Sequence, residues 1–292
     1  MTKVAVVSTN DRVYGVNKTL ELLDINPVKG KNVIFKPNFN TADPPPASSS
    51  METVKQLILK LKEMGAESIT IAERAGPAKT SEVFKKLGVD RLAEEMNVNL
   101  IDLTRIPNED YVLKNPESNH WNNGFLFAKI YDGAECIVET CCLKTHMYGG
   151  HFTMSLKNAV GTVNKKNMSE LHASKHQREM IAEINCAYKP DLIIMDGVIV
   201  FVDRGPMEGT RVEANVFVAG TDKIAIDVVG VAILRTLGTT PEVTNGPIFE
   251  QDQIKRAIEL DLGIKTPNDI EFLTDSEESE TLVLKIKEEL TK

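Results

Sequence analysis

Short apolar runs alternate along this chain with longer stretches whose apolar positions recur at helical spacing. A run bounded by turn residues marks a buried strand, and recurrence at i, i+3, i+4 marks one face of a helix. On this basis strands are predicted at Lys3–Ser8, Asn32–Lys36, Ser68–Ala72, Asn99–Leu103, Cys136–Glu139, Leu192–Met195, Asn215–Ala219 and near Ile270–Leu273. Helices are predicted over Val16–Leu23, Met51–Met64, Thr80–Leu87, Asp90–Met96, Glu170–Ala187, Thr221–Leu237 and near Gln253–Leu260. In Met51–Met64 the apolar residues Val54, Leu57, Ile58 and Leu61 share one face, Ser49 or Ser50 can cap the start, and Gly65 stops the helix. Pro44, Pro45 and Pro46 exclude regular structure just upstream, because proline removes a backbone donor and fixes φ.

Strands alternating with helices predict an α/β fold: a mixed, largely parallel sheet with helices on both faces. Residues 1–275 read as a single domain, with two lobes meeting near 105–125 as the alternative, and 276–292 as an acidic C-terminal helix. The stretch 105–125, with the single tryptophan Trp121, reads as an irregular or antiparallel excursion.

Length and charge narrow the function classes. A chain of 292 residues suffices for one large α/β domain or two small ones. A net charge of −8 argues against a general nucleic-acid binder, which carries a basic footprint. No apolar run approaches the ~20 residues needed to cross a bilayer, so neither nucleic acid nor membrane is an expected partner. The first residues lead into Val4–Val7 without a basic region or small-residue cleavage site, so no signal peptide is expected. Four cysteines without a C-x-x-C spacing fit neither a disulfide scaffold, a zinc ribbon nor a thioredoxin-type site, and a reducing cytoplasm is the expected location. A homo-oligomer is compatible with all of this.

Candidate chemistry collects where strands are predicted to end, the edge at which α/β sheets bind ligands. After the second strand come Lys36, Asn38 and Asn40, suited to an anion or a carbonyl; the plainer reading is that the asparagines close their own turn. Glu73 and Arg74 follow the third strand, either as a surface pair or with Glu73 facing Lys36. Lys144 and His146, then Lys157, Asn158 and Gly161, flank Gly149-Gly150, which would let backbone approach a ligand closely. His151 lies in the same segment, and a solvated loop is the plainer reading of it. Lysine there can pair with carboxylate or phosphate, or act as a base when its pKa falls. His172 and His176, four apart, would share a helix face and could chelate a metal, but no glutamate lies between them as in a zincin helix. Asp222 is placed as a helix N-cap, whereas Asp227, in an apolar stretch, needs a partner such as Lys144 or Lys157. Cys136, Cys141, Cys142 and Cys186 read mostly as core thiols, with Cys142 close to Lys144.

The succession Lys36-Pro37-Asn38, Gly65-Ala66 with Ile69 to Glu73, Leu143-Lys144-Thr145-His146, Leu156-Lys157-Asn158 with Gly161, Leu171-His172, Asp196-Gly197, Gly205-Pro206 with Gly209, and Asp222 with Asp227 resembles the domain-of-unknown-function 362 family over about residues 30 to 240. That family is largely uncharacterised, and the resemblance implies an iron–sulfur label only through a ferredoxin module that many members append. This chain has no C-x-x-C-x-x-C run, so the label does not transfer. It also carries Cys141-Cys142 where the family tends to have an apolar residue and a proline.

The leading expectation is an enzyme acting on a small anionic metabolite. Lys144, His146, His172 and Asp227 form the expected catalytic set, with a histidine moving a proton and Asp227 or Glu73 orienting it. Lys36, Asn38, Asn40, Glu73, Lys157 and Asn158 form the expected ligand-binding set. The alternatives are a divalent-metal or iron–sulfur cluster protein, with His172, His176 and Cys142 as candidate ligands, and a non-catalytic ligand-binding or assembly protein.

Overall fold

A strand buried on both faces needs apolar residues at every position rather than at alternate ones. Val4 to Val7, Val33 to Phe35 and Ile193 to Met195 meet that requirement and lie inside a sheet covered on both sides. The computed structural model describes all 292 residues. Its strands are β1 (Thr2–Ser8), β2 (Asn32–Lys36), β3 (Ser68–Glu73), β4 (Asn99–Asp102), β5 (Tyr111–Lys114), β6 (Phe125–Ala128), β7 (Cys136–His146), β8 (His151–Thr153), β9 (Leu192–Phe201), β10 (Arg211–Gly220) and β11 (Ile270–Leu273). Nine form one sheet in the order β11-β1-β10-β9-β7-β2-β3-β4, with β8 folded back on β7, while β5 and β6 pair by themselves. Only β10 and β8 run against the rest, so the fold is the mixed, largely parallel α/β sheet that the alternation predicts. The carboxyl ends of β2, β3 and β7 therefore emerge side by side along one edge.

Helices cover both faces. Arg12–Leu23 and Met51–Glu63 bury Val16, Leu20, Leu57 and Ile58 against Val7, Phe35 and Val138. On the opposite face Lys223–Thr236 and the C-terminal Glu277–Leu290 pack over Val4, Val6, Leu143 and Met195. The β5–β6 pair, Trp121, Tyr131 and Tyr188 close a third apolar cluster over Ile34, Ala72 and Ile137. Caps hold the helix starts. The Asp222 carboxylate accepts the Ala225 N–H at 2.9 Å and the Ile264 N–H at 2.8 Å, and Ser50 Oγ accepts the Glu52 N–H. No helix is long and apolar enough to cross a membrane.

β9 and β10 are longer than the sequence predicts and β8 is an addition, but two other departures bear most on the site. β7 does not stop at Glu139 but runs on to His146, buried throughout, because it lies between β2 and β9 and is then paired by β8. Polar residues that look like a loop are thus held as strand. The helix expected over Glu170–Ala187 is two, Met168–Ala173 and Gln177–Ile184. Ser174 is extended between them (ψ 138°), and its hydroxyl accepts the His176 N–H, the local bond by which serine competes with helix.

Candidate functional site

The carboxyl ends of β2, β3 and β7 open into a cavity of about 490 Å³. Strands deliver Lys36, Glu73, Lys144 and His146 to it, and the exit loop of β2 adds Asn38 and Asn40. The short helix Ser155–Asn158 presents Lys157 and Asn158, and Met168–Ala173 presents His172. Of the residues expected at the site, all but Asp227, His176 and Cys142 line this one cavity.

Two of the three buried lysines that line it are held by acceptors. Lys36 Nζ donates to Glu73 Oε2 at 2.7 Å, to the Pro37 carbonyl at 2.7 Å and to Asn158 Oδ1 at 3.2 Å, which occupies all three of its N–H bonds. Glu73 is equally engaged, accepting the Phe39 N–H and the Arg74 N–H as well. Lys144 Nζ donates to Asn38 Oδ1 at 3.0 Å and to the Ala47 carbonyl at 2.5 Å. Asn38 in turn donates from Nδ2 to Asn158 Oδ1 at 3.0 Å. The two amides therefore brace Lys36 and Lys144 across elements far apart in the chain, instead of closing local turns. The proline-rich segment contributes here by turning the Ala47 carbonyl inward.

Lys157 is different. Its side chain is only 7% exposed and faces no carboxylate. Burial, followed by the charges of Lys144 and Arg74, lowers its pKa from 10.5 to about 8. Next to it, burial and then Lys157 and Lys144 push His146 well below the ordinary imidazole range, and its Nδ1 is buried without a partner. Burial, Lys157 and Arg74 likewise lower His172, whose Nδ1 lies 3.0 Å from Gln177 Nε2. Both imidazoles are thus neutral at pH 7 and able to accept a proton. Two glycines make the packing possible. A Cβ on Gly150 would sit 2.8 Å from Lys157 Cε and 3.1 Å from His146 Nδ1, which also shows these side chains to be neighbours. A Cβ on Gly161 would sit 2.5 Å from Glu73 Oε1 and 2.8 Å from Lys36 Nζ.

Three expected residues lie elsewhere. Asp227 does not pair with Lys144 or Lys157. Fully buried in Lys223–Thr236, it accepts the N–H groups of Ser155 at 2.8 Å and Leu156 at 3.3 Å, and Gln253 Nε2 at 3.3 Å. It anchors the turn that carries Lys157, and burial pushes its carboxyl well above the usual carboxylate range. His176 falls beyond the break at Ser174, so it does not share a face with His172. Its Nδ1 lies 3.1 Å from Glu179 Oε1 and its ring stacks on His120 at 4.4 Å. Cys142 is buried outside the cavity lining, its thiol raised by burial against the opposing effect of Lys144. Adjacent strand residues face opposite sides, and Cys141 lies in the apolar cluster with Leu143, so the cysteine pair cannot serve one cluster. No group of three or more His, Cys, Asp or Glu side chains converges as a metal ion would require.

Two residues outside the expected set matter. The Arg74 guanidinium donates to the carbonyls of Val160, Val163 and Ala75, tying the turn after Asn158 to β3 while lining the cavity. Glu139, in β7 beneath the site, is fully buried and makes no hydrogen bond of normal geometry, although Tyr188, Asn158 and Ser155 flank it. Burial raises its pKa to about 7, with Lys36 opposing. The available signal was one carboxylate alone in the apolar run Ile137-Val138-Glu139.

The model of a family described as "Domain of unknown function (DUF362)" matches residues 33–232, which include every cavity-lining residue named above. The chain is 25% identical over 213 residues to the thylakoid-associated protein sll1697 of Synechocystis sp. (strain ATCC 27184 / PCC 6803 / Kazusa), a match covering 70% of this chain and 64% of that protein. Among solved structures it is similar to the lactate racemase apoprotein from Thermoanaerobacterium thermosaccharolyticum, at 16% identity and a TM-score of 0.49, over 75% of this chain and 54% of that one. The chain thus spans less than two thirds of either protein.

Proposed function

This chain belongs to the DUF362 family, and from that premise we propose that it is an enzyme whose cavity binds a small anionic metabolite, a carboxylate or a phosphate. One observation carries the reading: the cavity gathers Lys36, Arg74, Lys144 and Lys157, while its one carboxylate, Glu73, is already bonded to Lys36. The lining therefore keeps uncompensated positive charge in a partly desolvated space, where an anion gains most from it. Lys157 is the contact most open to that anion, and His146 and His172 stand beside it as neutral proton acceptors.

Calorimetric titration with inorganic phosphate, sulfate and short mono- and dicarboxylates tests the reading. Saturable binding is expected, weakening as pH rises through about 8, where Lys157 sheds its proton. Lys157→Gln should weaken it at least about tenfold, corresponding to the loss of one charge-assisted bond. Binding that is absent, or unchanged by Lys157→Gln, contradicts it. Binding without turnover of any anion tested would leave a ligand carrier in place of an enzyme.

A further inference from the structure

The three buried lysines of the cavity are not equivalent, and the difference points beyond charge recognition. Lys36 has all three N–H bonds directed at acceptors, and Lys144 has two directed at Asn38 and Ala47. Glu73 pairs with Lys36, and Lys144, whose pKa burial also lowers, is braced by its two acceptors and points its amine into them. Lys157 has neither carboxylate nor acceptor, and it lies in the wall of the cavity beside His146 Nδ1, itself buried and unpartnered. The other candidate nucleophiles do not compete. Cys142 is outside the lining, and the hydroxyl of Thr153, which does line it, has no hydrogen-bonded base to activate it.

We propose that the anion held in this cavity also carries a carbonyl group, as an oxo acid or an aldehyde phosphate does, and that Lys157 Nζ forms an imine with its carbonyl carbon. This rests on the anion-binding reading above and names the substrate class for that site. In the first step neutral Nζ attacks the carbonyl carbon, a C–N bond forms as the C=O π bond opens, and one of the two amine protons passes to the oxygen to give a carbinolamine. In the second the nitrogen loses its remaining proton to a neutral imidazole, His146 or His172, which returns it to the departing hydroxyl. The products are an imine and one water, with no change of oxidation state. Burial among cations keeps part of Lys157 unprotonated near neutral pH, as this chemistry requires. In its ammonium form, which burial disfavours and a bound anion would restore, Lys144 has a third N–H to orient the anionic end of the substrate while Lys157 meets the carbonyl.

Reductive trapping of the full chain tests this. The protein is incubated separately with glyoxylate, pyruvate and pyridoxal phosphate, reduced with borohydride, digested and mapped by tandem mass spectrometry. Phosphate binding is measured calorimetrically on the same preparation. The expected result is a secondary-amine adduct at Lys157 exceeding that at any exposed lysine by on the order of tenfold or more, from its larger neutral fraction. Excess phosphate should suppress it, and Lys157→Arg, which keeps the charge but not the nucleophile, should abolish it while retaining phosphate binding. Adducts spread over surface lysines such as Lys85 and Lys86, or none at Lys157 with phosphate binding intact, overturn the imine and leave the anion site standing. An adduct at Lys157 with no phosphate binding overturns the anion reading instead.

Discussion

Replacing Lys157 by methionine should make this protein more stable and less able to bind. Methionine has nearly the same length and no charge, so the wall of the cavity is kept while the buried ammonium goes. An amine whose pKa falls from 10.5 to about 8 on folding is disfavoured in its charged form by about 3 kcal/mol. The sign follows from proton binding. Below about pH 8 both folded and unfolded chains hold the proton, and the folded state carries the whole cost. Between about 8 and 10.5 the unfolded chain holds more protons than the folded one, so wild-type stability rises with pH and the cost fades. At pH 7 the variant should therefore melt roughly 4–6 °C above wild type, on the usual conversion for a chain of this size. Differential scanning calorimetry from pH 7 to 10 on both proteins should show the gap closing, with the shared titration of surface groups cancelling in the difference. Phosphate at about a hundred times its dissociation constant should raise the wild-type melting point by the equivalent of about 2.7 kcal/mol and that of the variant, binding at least about tenfold more weakly, by no more than about half as much. A variant that melts lower than wild type, or a gap that stays constant across this pH range, would refute the picture of an uncompensated buried cation.

Other perturbations read different parts of the site. Asp227→Ala orphans the N–H groups of Ser155 and Leu156, so denaturant titration should show a loss of about 2–4 kcal/mol, accompanied by weaker anion binding because the turn holding Lys157 loosens. Glu73→Gln leaves Lys36 buried beside a neutral partner and should cost about 3–5 kcal/mol. Adding Lys36→Met should recover much of that loss, and a double-mutant cycle by chemical unfolding gives the coupling directly. Gly161→Ala drives a methyl group into the Glu73–Lys36 pair, so urea unfolding should show a loss of roughly 1–3 kcal/mol together with reduced phosphate affinity.

Much of the architecture was written into local pattern. The strand at Asn32–Lys36 and the helix at Thr80–Leu87 fall at the positions the periodicity predicts, and Ser50 and Asp222 cap the helices they precede. These are short-range effects: a run of apolar residues needs a sheet to bury it, and a helix start needs an acceptor within three residues. The concentration of lysine, asparagine and histidine after the strand runs was also visible, since such residues have little reason to follow buried strands unless something polar meets them there. The break at Ser174 was not, because serine inside a helical pattern is tolerated as often as it interrupts one.

Sequence alone, then, settled the α/β class, the direction in which the chemistry gathers, and the residue types available to it. What each of those residues does was decided only by tertiary structure. Lys36, Lys144 and Lys157 are the same side chain on paper. The acceptors that hold the first two come from Glu73, Asn158, Asn38 and Ala47, positions brought near only by the packing of β2, β3 and β7, and none reaches the third. Asp227 was recognisably a buried carboxylate in need of donors, but the donors proved to be backbone N–H groups rather than a lysine. A pattern of residue types reports which groups must be satisfied. Only the folded chain determines which distant group satisfies them, and so which one is left free to react.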